Sequence, residues 1–322
     1  MRILIGHDGS ESSDAAVDDL KRAGLPRDSD VLIASVADLL IGGPELSEVI
    51  GHAMTSRRAV SGLKKTLTHA ERVTKEAQEA ASKAKKRVRK LFPEWSVRAE
   101  VMIGTPSWVL IDVANLWKAD LVVVGSQGRS ALKRFFLGSV SKRLATDTSC
   151  SVRVGRAAAK GRTGAPRIII GVDGSPAAEQ AINSVGERVW DSGTEIKLIA
   201  VDDDTPPTAQ LFSFLPQTAE MIDSYLQNKE SRVRSMLDWA TSELDNIGLK
   251  TSVSIKKGYA SRVLLSEARK WNADSIFVGT RDFNSAFERF SLGSVSTAVV
   301  TKAHCSVEIV RSLKKRRDKK RN

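Results

Sequence analysis

At 322 residues the chain exceeds one small domain and suits two of about 150 residues each. Its 41% hydrophobic and 27% charged content is that of a globular protein, and no apolar run nears the roughly 20 residues that span a bilayer. The net charge of +12 is concentrated in two places, twelve basic against three acidic residues from Arg57 to Lys90 and seven against one from Ser312 to Asn322, so the remaining body is slightly acidic and gives no sign of a nucleic-acid-binding surface.

The chain opens on a short strand, Arg2-Ile3-Leu4-Ile5, which His7 and Asp8 end too early for a signal peptide. Asp8-Gly9-Ser10 follows, with Ser10 read as a helix cap, because no His-Asp partner makes it a nucleophile. Val31 to Val36, Val97 to Ile103 and Leu121 to Val124 are short runs rich in β-branched residues, apolar enough for strands covered on both faces. Between the first two of these, Val60, Leu63, Leu67, Ala70, Val73, Ala77, Ala81, Ala84, Val88 and Leu91 recur every three or four residues. This spacing predicts one long amphipathic helix whose Ala-rich stripe meets a sheet or a partner and whose Lys and Arg residues are wet. Thr105-Pro106 and Ser175-Pro176 place a capping hydroxyl ahead of a proline at the first helical position. Trp108 and Trp117 after the third strand, and Trp239 and Trp271 later, read as core or interface anchors.

From Gly161 to Pro166 a Gly-Arg-Thr-Gly-Ala-Pro linker leads into a second copy of the pattern. Arg2 to Ser10 recurs as Arg167 to Ser175, an offset of 165, and Ala119 to Ser126 as Ala273 to Thr280, an offset of 154. Leu137-Gly138-Ser139-Val140-Ser141 recurs as Leu292 to Ser296, and Cys150-Ser151-Val152 as Cys305-Ser306-Val307, both at 155. The first copy is therefore 11 residues longer between its second and third strands. Strands alternating with helices in each copy predict an α/β fold of two tandem doubly wound parallel domains. We place domain 1 at residues 1–156, domain 2 at 166–311 and a basic tail at 312–322. The two cysteines stand at equivalent places and imply buried reduced thiols, consistent with a cytoplasmic protein. His7, His52, His69 and His304 show no metal-ligand spacing.

In open parallel sheets ligands bind beyond the carboxyl ends of the strands where the strand order reverses. Asp8-Gly9-Ser10 and the loop Gly125-Ser126-Gln127-Gly128, followed by Gly138-Ser139-Val140-Ser141, would meet there. Glycines let backbone amides approach anionic oxygens and adopt positive φ, and a following helix N-terminus favours phosphate. A carboxylate at the opposite end would accept hydrogen bonds from an adenosine moiety. Arg129, Lys133 and Arg134 either lean toward the phosphates or form solvated surface. No Gly-x4-Gly-Lys-Ser/Thr is present, so a P-loop is excluded.

Gly125-x2-Gly128-x9-Gly138-Ser139 after a strand, with Asp-Gly-Ser at strand one and both echoed in a second copy, resembles the ATP-binding class of the universal stress protein family. The resemblance implies a five-stranded parallel sheet in the order 3-2-1-4-5 in each domain, with helices on both faces. It also implies pairing of two such domains through their last strands, around Val152 to Val154 and Val307 to Val310. Carried over, the adenine-nucleotide contacts fall on Asp8, Val36, Gly125, Gly128, Gly138, Ser139, Val140 and Ser141. In the second copy Asp173, Val201, Gly279, Gly293 and Ser294 correspond, but Asp282 stands where Gly128 stands, with one more residue before Gly293. A carboxylate facing phosphates repels them, so nucleotide is expected mainly in domain 1.

The expected function is a binding or regulatory module of the stress response, an intramolecular pseudo-dimer without fast turnover. The alternatives are a slow ATPase or phosphotransferase, or a nucleotide-free scaffold docking partners through the basic helix and tail. Magnesium with the nucleotide, a homodimer, an unknown protein partner and a weak contact of the tail with nucleic acid or an anionic surface are left open.

Overall fold

The computed structural model describes residues 1–39, 57–128, 137–157, 163–202, 216–280 and 292–311, with side chains from 66 onward in one long helix and from 227 onward in the other. Two compact units emerge. The first gathers Met1–Asp19, Pro26–Thr148 and Val154–Arg156; the second gathers Leu20–Leu25, Ser149–Arg153 and the chain from Ala157 onward.

In the first copy the elements run β1 (Arg2–Gly6), α1 (Glu11–Asp19), β2 (Asp30–Ala37), α2 (Arg57–Leu91), β3 (Ser96–Ile103), α3 (Pro106–Trp117), β4 (Leu121–Gly125), α4 (Ser139–Asp147) and β5 (Ser151–Gly155). The strand order is β3-β2-β1-β4-β5, as the family resemblance implies. β1 is parallel to both neighbours, with Ile3 opposite Val31 on one side and Leu121 on the other. Successive residues Ile3, Leu4 and Ile5 are all buried, and so are Leu121 to Val124. Consecutive burial means that both faces of the strands are covered, which is why these segments read as continuous apolar runs.

The second copy repeats the plan with β6 (Arg167–Val172), α5 (Pro176–Gly186), β7 (Glu195–Asp202), α6 (Pro216–Asn246), β8 (Lys250–Lys257), α7 (Ala260–Lys270), β9 (Ser275–Gly279), α8 (Ser294–Lys302) and β10 (Ser306–Val310). Its order is β8-β7-β6-β9-β10. Ile168, Ile170, Ile196, Leu198 and Phe277 close its core with Leu237, Ala240 and Leu244 of α6. β2 ends at Ala37 and β3 starts at Ser96, whereas β7 ends at Asp202 and β8 starts at Lys250, so the 11-residue difference lies where the offsets put it.

α2 spans 35 residues, about 50 Å at 1.5 Å per residue. Its stripe is buried at Ala77, Ala81, Ala84 and Val88, joined by Ala80, but Leu67 is exposed. Val60 and Leu63 lie among the side chains outside the described set. The basic face is wet, as expected, and also paired: Lys83 Nζ donates to Asp14 Oδ2 at 2.6 Å, and Arg87 pairs with Asp18. α1 is acidic on the side that α2 approaches, and this attraction fixes part of the basic helix.

Two local expectations need adjustment. Ser10 and Ser175 cap as expected, accepting from Ser13 N and Ala178 N, each at 3.2 Å. Thr105 holds the N-cap position of α3 without a side-chain hydrogen bond, so Pro106 alone carries that start. Trp108 is half-exposed and stacks under the Arg143 guanidinium at 3.8 Å. The well-buried indole of the first unit is Trp95, which stacks on Phe92 and donates from Nε1 to Pro26 O at 3.0 Å. Both cysteines are buried. No described helix is long and apolar enough to cross a membrane.

Candidate functional site

The strand order reverses between β1 and β4, and their carboxyl ends lie side by side, Gly6 opposite Val124. A cavity of about 380 Å³ opens there. Asp8, Val36, Gly125, Gly128, Gly138, Ser139, Val140 and Ser141 all line it. Gln127, Asp38 and Pro106 add polar and apolar wall, and Val73 and Ala77 bring α2 to its rim.

Asp8 is held by the turn it starts. Ser10 N and Ser10 Oγ both donate to Asp8 Oδ1, at 3.0 and 2.6 Å. Burial alone would raise the Asp8 pKa, but these bonds, with Ser13 and His7 nearby, hold it below the ordinary 3.8. The carboxylate is therefore ionised at neutral pH and acts as an acceptor. Positive φ occurs at Gly9 (84°), where the turn needs it, and not at Gly125, Gly128 or Gly138. Closeness requires glycine at Gly125, is tight at Gly128 against Asp8, and is only ordinary contact at Gly138. A Cβ on Gly125 would stand 2.7 Å from the Ser12 backbone carbonyl, and one on Gly138 would stand 3.4 Å from Gln127 Cα.

The loop after β4 is tied to α1 and α4. Ser12 Oγ accepts from Gln127 N at 3.1 Å, Gly138 N donates to Ser126 O at 2.8 Å, and Ser141 Oγ donates to Gly125 O at 2.6 Å. Gly138 is the N-cap of α4, and among the described residues no side chain caps its first turn. The helix thus presents amide donors and a partial positive charge at the cavity wall, opposite in character to Asp8. Arg129, Lys133 and Arg134 lie outside the described residues.

One constellation was not anticipated from sequence. His7 is buried; its Nδ1 accepts from Gly9 N at 3.2 Å, so the proton resides on Nε2, which faces Asp14 Oδ1 at 3.2 Å. Asp14 in turn receives Lys83. Burial lowers the His7 pKa below 6.5 against the opposing pull of Asp14. The Asp14 carboxyl, which burial would raise, is lowered chiefly by Lys83. The chain β1–α1–α2 is thereby fastened behind the Asp8 turn. The available sequence signal was His7 standing where the second copy has Val172.

The second copy brings its expected residues together as well. Asp173, Val201, Gly279, Gly293 and Ser294 line a smaller cavity of about 240 Å³. Asp173 accepts from Ser175 N at 3.0 Å, and Gly174 repeats the positive φ of Gly9 at 74°. A Cβ on Gly279 would fall 2.1 Å from Ala177 O, a closer approach than at Gly125. Asp282 lies outside the described residues.

The profile of the universal stress protein family matches residues 1–156 and again 165–311. The chain belongs to the universal stress protein family. A universal stress protein of Mycolicibacterium smegmatis is 26% identical over 319 residues, 96% of each chain. One from Methanocaldococcus jannaschii is 37% identical over 79 residues, and one from Mycobacterium tuberculosis H37Rv is 38% identical over 109. These two alignments cover 24% and 33% of this chain, and 46% and 35% of the respective relatives. Among solved structures, a universal stress protein from Archaeoglobus fulgidus shares the fold at a TM-score of 0.62 and 20% identity, over 96% of this chain and 98% of that one. This universal stress protein therefore carries the family's domain twice in tandem.

Proposed function

We propose that this chain is an adenine-nucleotide-binding regulatory protein of the stress response, holding ATP mainly in its first copy and not turning it over rapidly. The observation that carries the reading is the first cavity. Its about 380 Å³ falls within the range of small-molecule sites, whereas the about 240 Å³ of the second falls below it. Asp8, with Gly128 against it, supplies an ionised acceptor for the adenosine end, and Gly138 and the amides of Ser139, Val140 and Ser141 suit the phosphates. Val36, the next-to-last residue of β2, lines the same cavity and would offer its backbone to the base.

A binder is favoured over an enzyme because His7, the histidine at the cavity, is committed to Gly9 and Asp14 with no side-chain exposure. It cannot reach a substrate proton without breaking the Asp8 turn. Magnesium would rest on the nucleotide's own oxygens, since no three-ligand cluster stands among the described residues. A chain of 322 residues with only two cysteines favours a cytoplasmic location, and the basic tail is a candidate contact for anionic surfaces.

Denaturing the freshly purified protein and chromatographing the released nucleotide tests the reading. Intact ATP in a ratio near one per chain supports it. ADP with measurable turnover supports the slow enzyme, and an empty protein that ignores added ATP in calorimetry leaves the scaffold.

A further inference from the structure

The second compact unit contains a piece of the first sequence copy, Ser149–Arg153. Within that unit Arg311 N donates to Ser151 Oγ at 3.1 Å, and Arg311 Nη1 to Cys150 O at 3.3 Å. Arg153 Nη1 meets Glu308 Oε2 at 3.2 Å, and both side chains have zero exposure. Arg153 Nη2 also donates to Ser275 Oγ at 2.7 Å. Arg188, almost as deeply buried, takes the other oxygen of Glu308 and donates from Nη1 to Ala23 O at 2.7 Å. Its guanidinium lies 4.9 Å from the Phe277 ring centre and that of Arg153 lies 6.0 Å away.

Arg153 and Glu308 are the same position of the repeat. The offset of 155 that superposes Cys150-Ser151-Val152 on Cys305-Ser306-Val307 carries Arg153 onto Glu308. Two equivalent residues of a repeat therefore face each other with opposite charge. We propose that this inversion is a specificity device: it makes β10 accept the segment ending in Arg153 and reject β10 of a second chain.

The physical reason lies in how like surfaces pair. When two identical strands meet about a two-fold, each position on the axis faces its own copy. Pairing β10 with another β10 would bury Glu308 against Glu308, and pairing β5 with another β5 would bury Arg153 against Arg153. Burying like charges against each other is strongly unfavourable, and Arg188 would offset it only in part for Glu308, so both like pairings are penalised, while the mixed pairing sets Glu308 between two guanidinium groups. An apolar pair at this position would bury comparable surface without discriminating.

Complementary full-length variants test this. In an Arg188→Met background, which removes the second guanidinium on Glu308, Arg153→Glu leaves carboxylates at both repeat positions and Glu308→Arg leaves guanidinium groups at both. Each variant alone is expected to show a lower urea midpoint than the Arg188→Met parent. Refolded together in equal amounts, they are expected to give a mixed species of two chains by light scattering, twice the 35.0 kDa of one chain. Repeating the mixing with Arg188 intact provides a second arm. The proposal fails where either variant alone is as stable and monodisperse as its parent, or where the mixture in both arms is only the sum of its separate populations.

Discussion

Gly128 lies directly against Asp8: a Cβ built on Gly128 would stand 3.3 Å from Asp8 Oδ2. The two residues are 120 positions apart in the chain and meet in the wall of the first cavity. Gly128→Asp would set a second carboxylate beside an ionised one and reproduce the residue type at position 282. We expect retained nucleotide to fall at least about tenfold, a difference of about 1.4 kcal/mol. Chromatography of the released nucleotide checks this, and an unchanged content removes the site assignment. Gly128→Ala needs only a few tenths of an ångström of movement and should have a smaller effect.

Gly125 and Gly279 pack against backbone, which cannot swing away as a side chain can. Gly125→Ala and Gly279→Ala should each destabilise by about 1–3 kcal/mol, with Gly279→Ala the more severe. Gly186→Ala provides the opposite sign. It closes α5, its φ is ordinary and its nearest neighbour is Leu244 Cδ2 at 3.8 Å, so a gain of roughly 0.5 kcal/mol is expected. Urea unfolding of the three variants reads all of these.

His7 gives stability a pH dependence whose sign follows from its environment. Burial holds its folded pKa below 6.5, so the unfolded chain binds the proton more readily. The contribution of neutral His7 is complete above pH 6.5 and declines as the pH falls below that value. Asp8 and Asp14, both lowered from 3.8, keep their contributions to lower pH. His7→Gln preserves one acceptor for Gly9 and one donor for Asp14 without a titrating ring. Between about pH 7.5 and 5.5 the variant should show a shallower loss of urea midpoint than the wild type; parallel curves would assign the slope to other groups.

Trp95 combines a stacked ring with one hydrogen bond, to Pro26 O. Trp95→Phe keeps the aromatic contact and leaves that carbonyl without the indole donor, for an expected loss of about 1 kcal/mol. Trp95→Ala should lose about 3–5 kcal/mol by emptying the ring's place. Thermal or urea unfolding separates the two.

The candidate site was legible where its determinants are local. Asp-Gly-Ser reads as a turn because Gly9 needs φ of 84°, and Gly125, Gly128 and Gly138 stand out because they follow a strand and recur in a second copy. The reason those three are glycines was not legible. At Gly125 and Gly128 it is the proximity of Ser12 and Asp8, and contacts between distant segments leave no periodicity in the sequence. His7 was set aside for lacking metal-ligand spacing, and its partners Asp14 and Lys83 lie 7 and 76 residues away. Trp95 escaped notice because its burial depends on a carbonyl 69 residues earlier.

By itself the sequence determined the tandem repeat, the alternation of strands and helices, and the place of the 11-residue difference, because these are set by hydrophobic period and by conformational demands of neighbouring residues. Tertiary structure alone decided that Asp8 faces Gly128, that α1 and α2 are joined by charge, and that Ser149–Arg153 fold with the second unit so that Arg153 meets its own repeat position as Glu308. Such pairings rest on distance and desolvation between chain segments, and a linear pattern encodes neither.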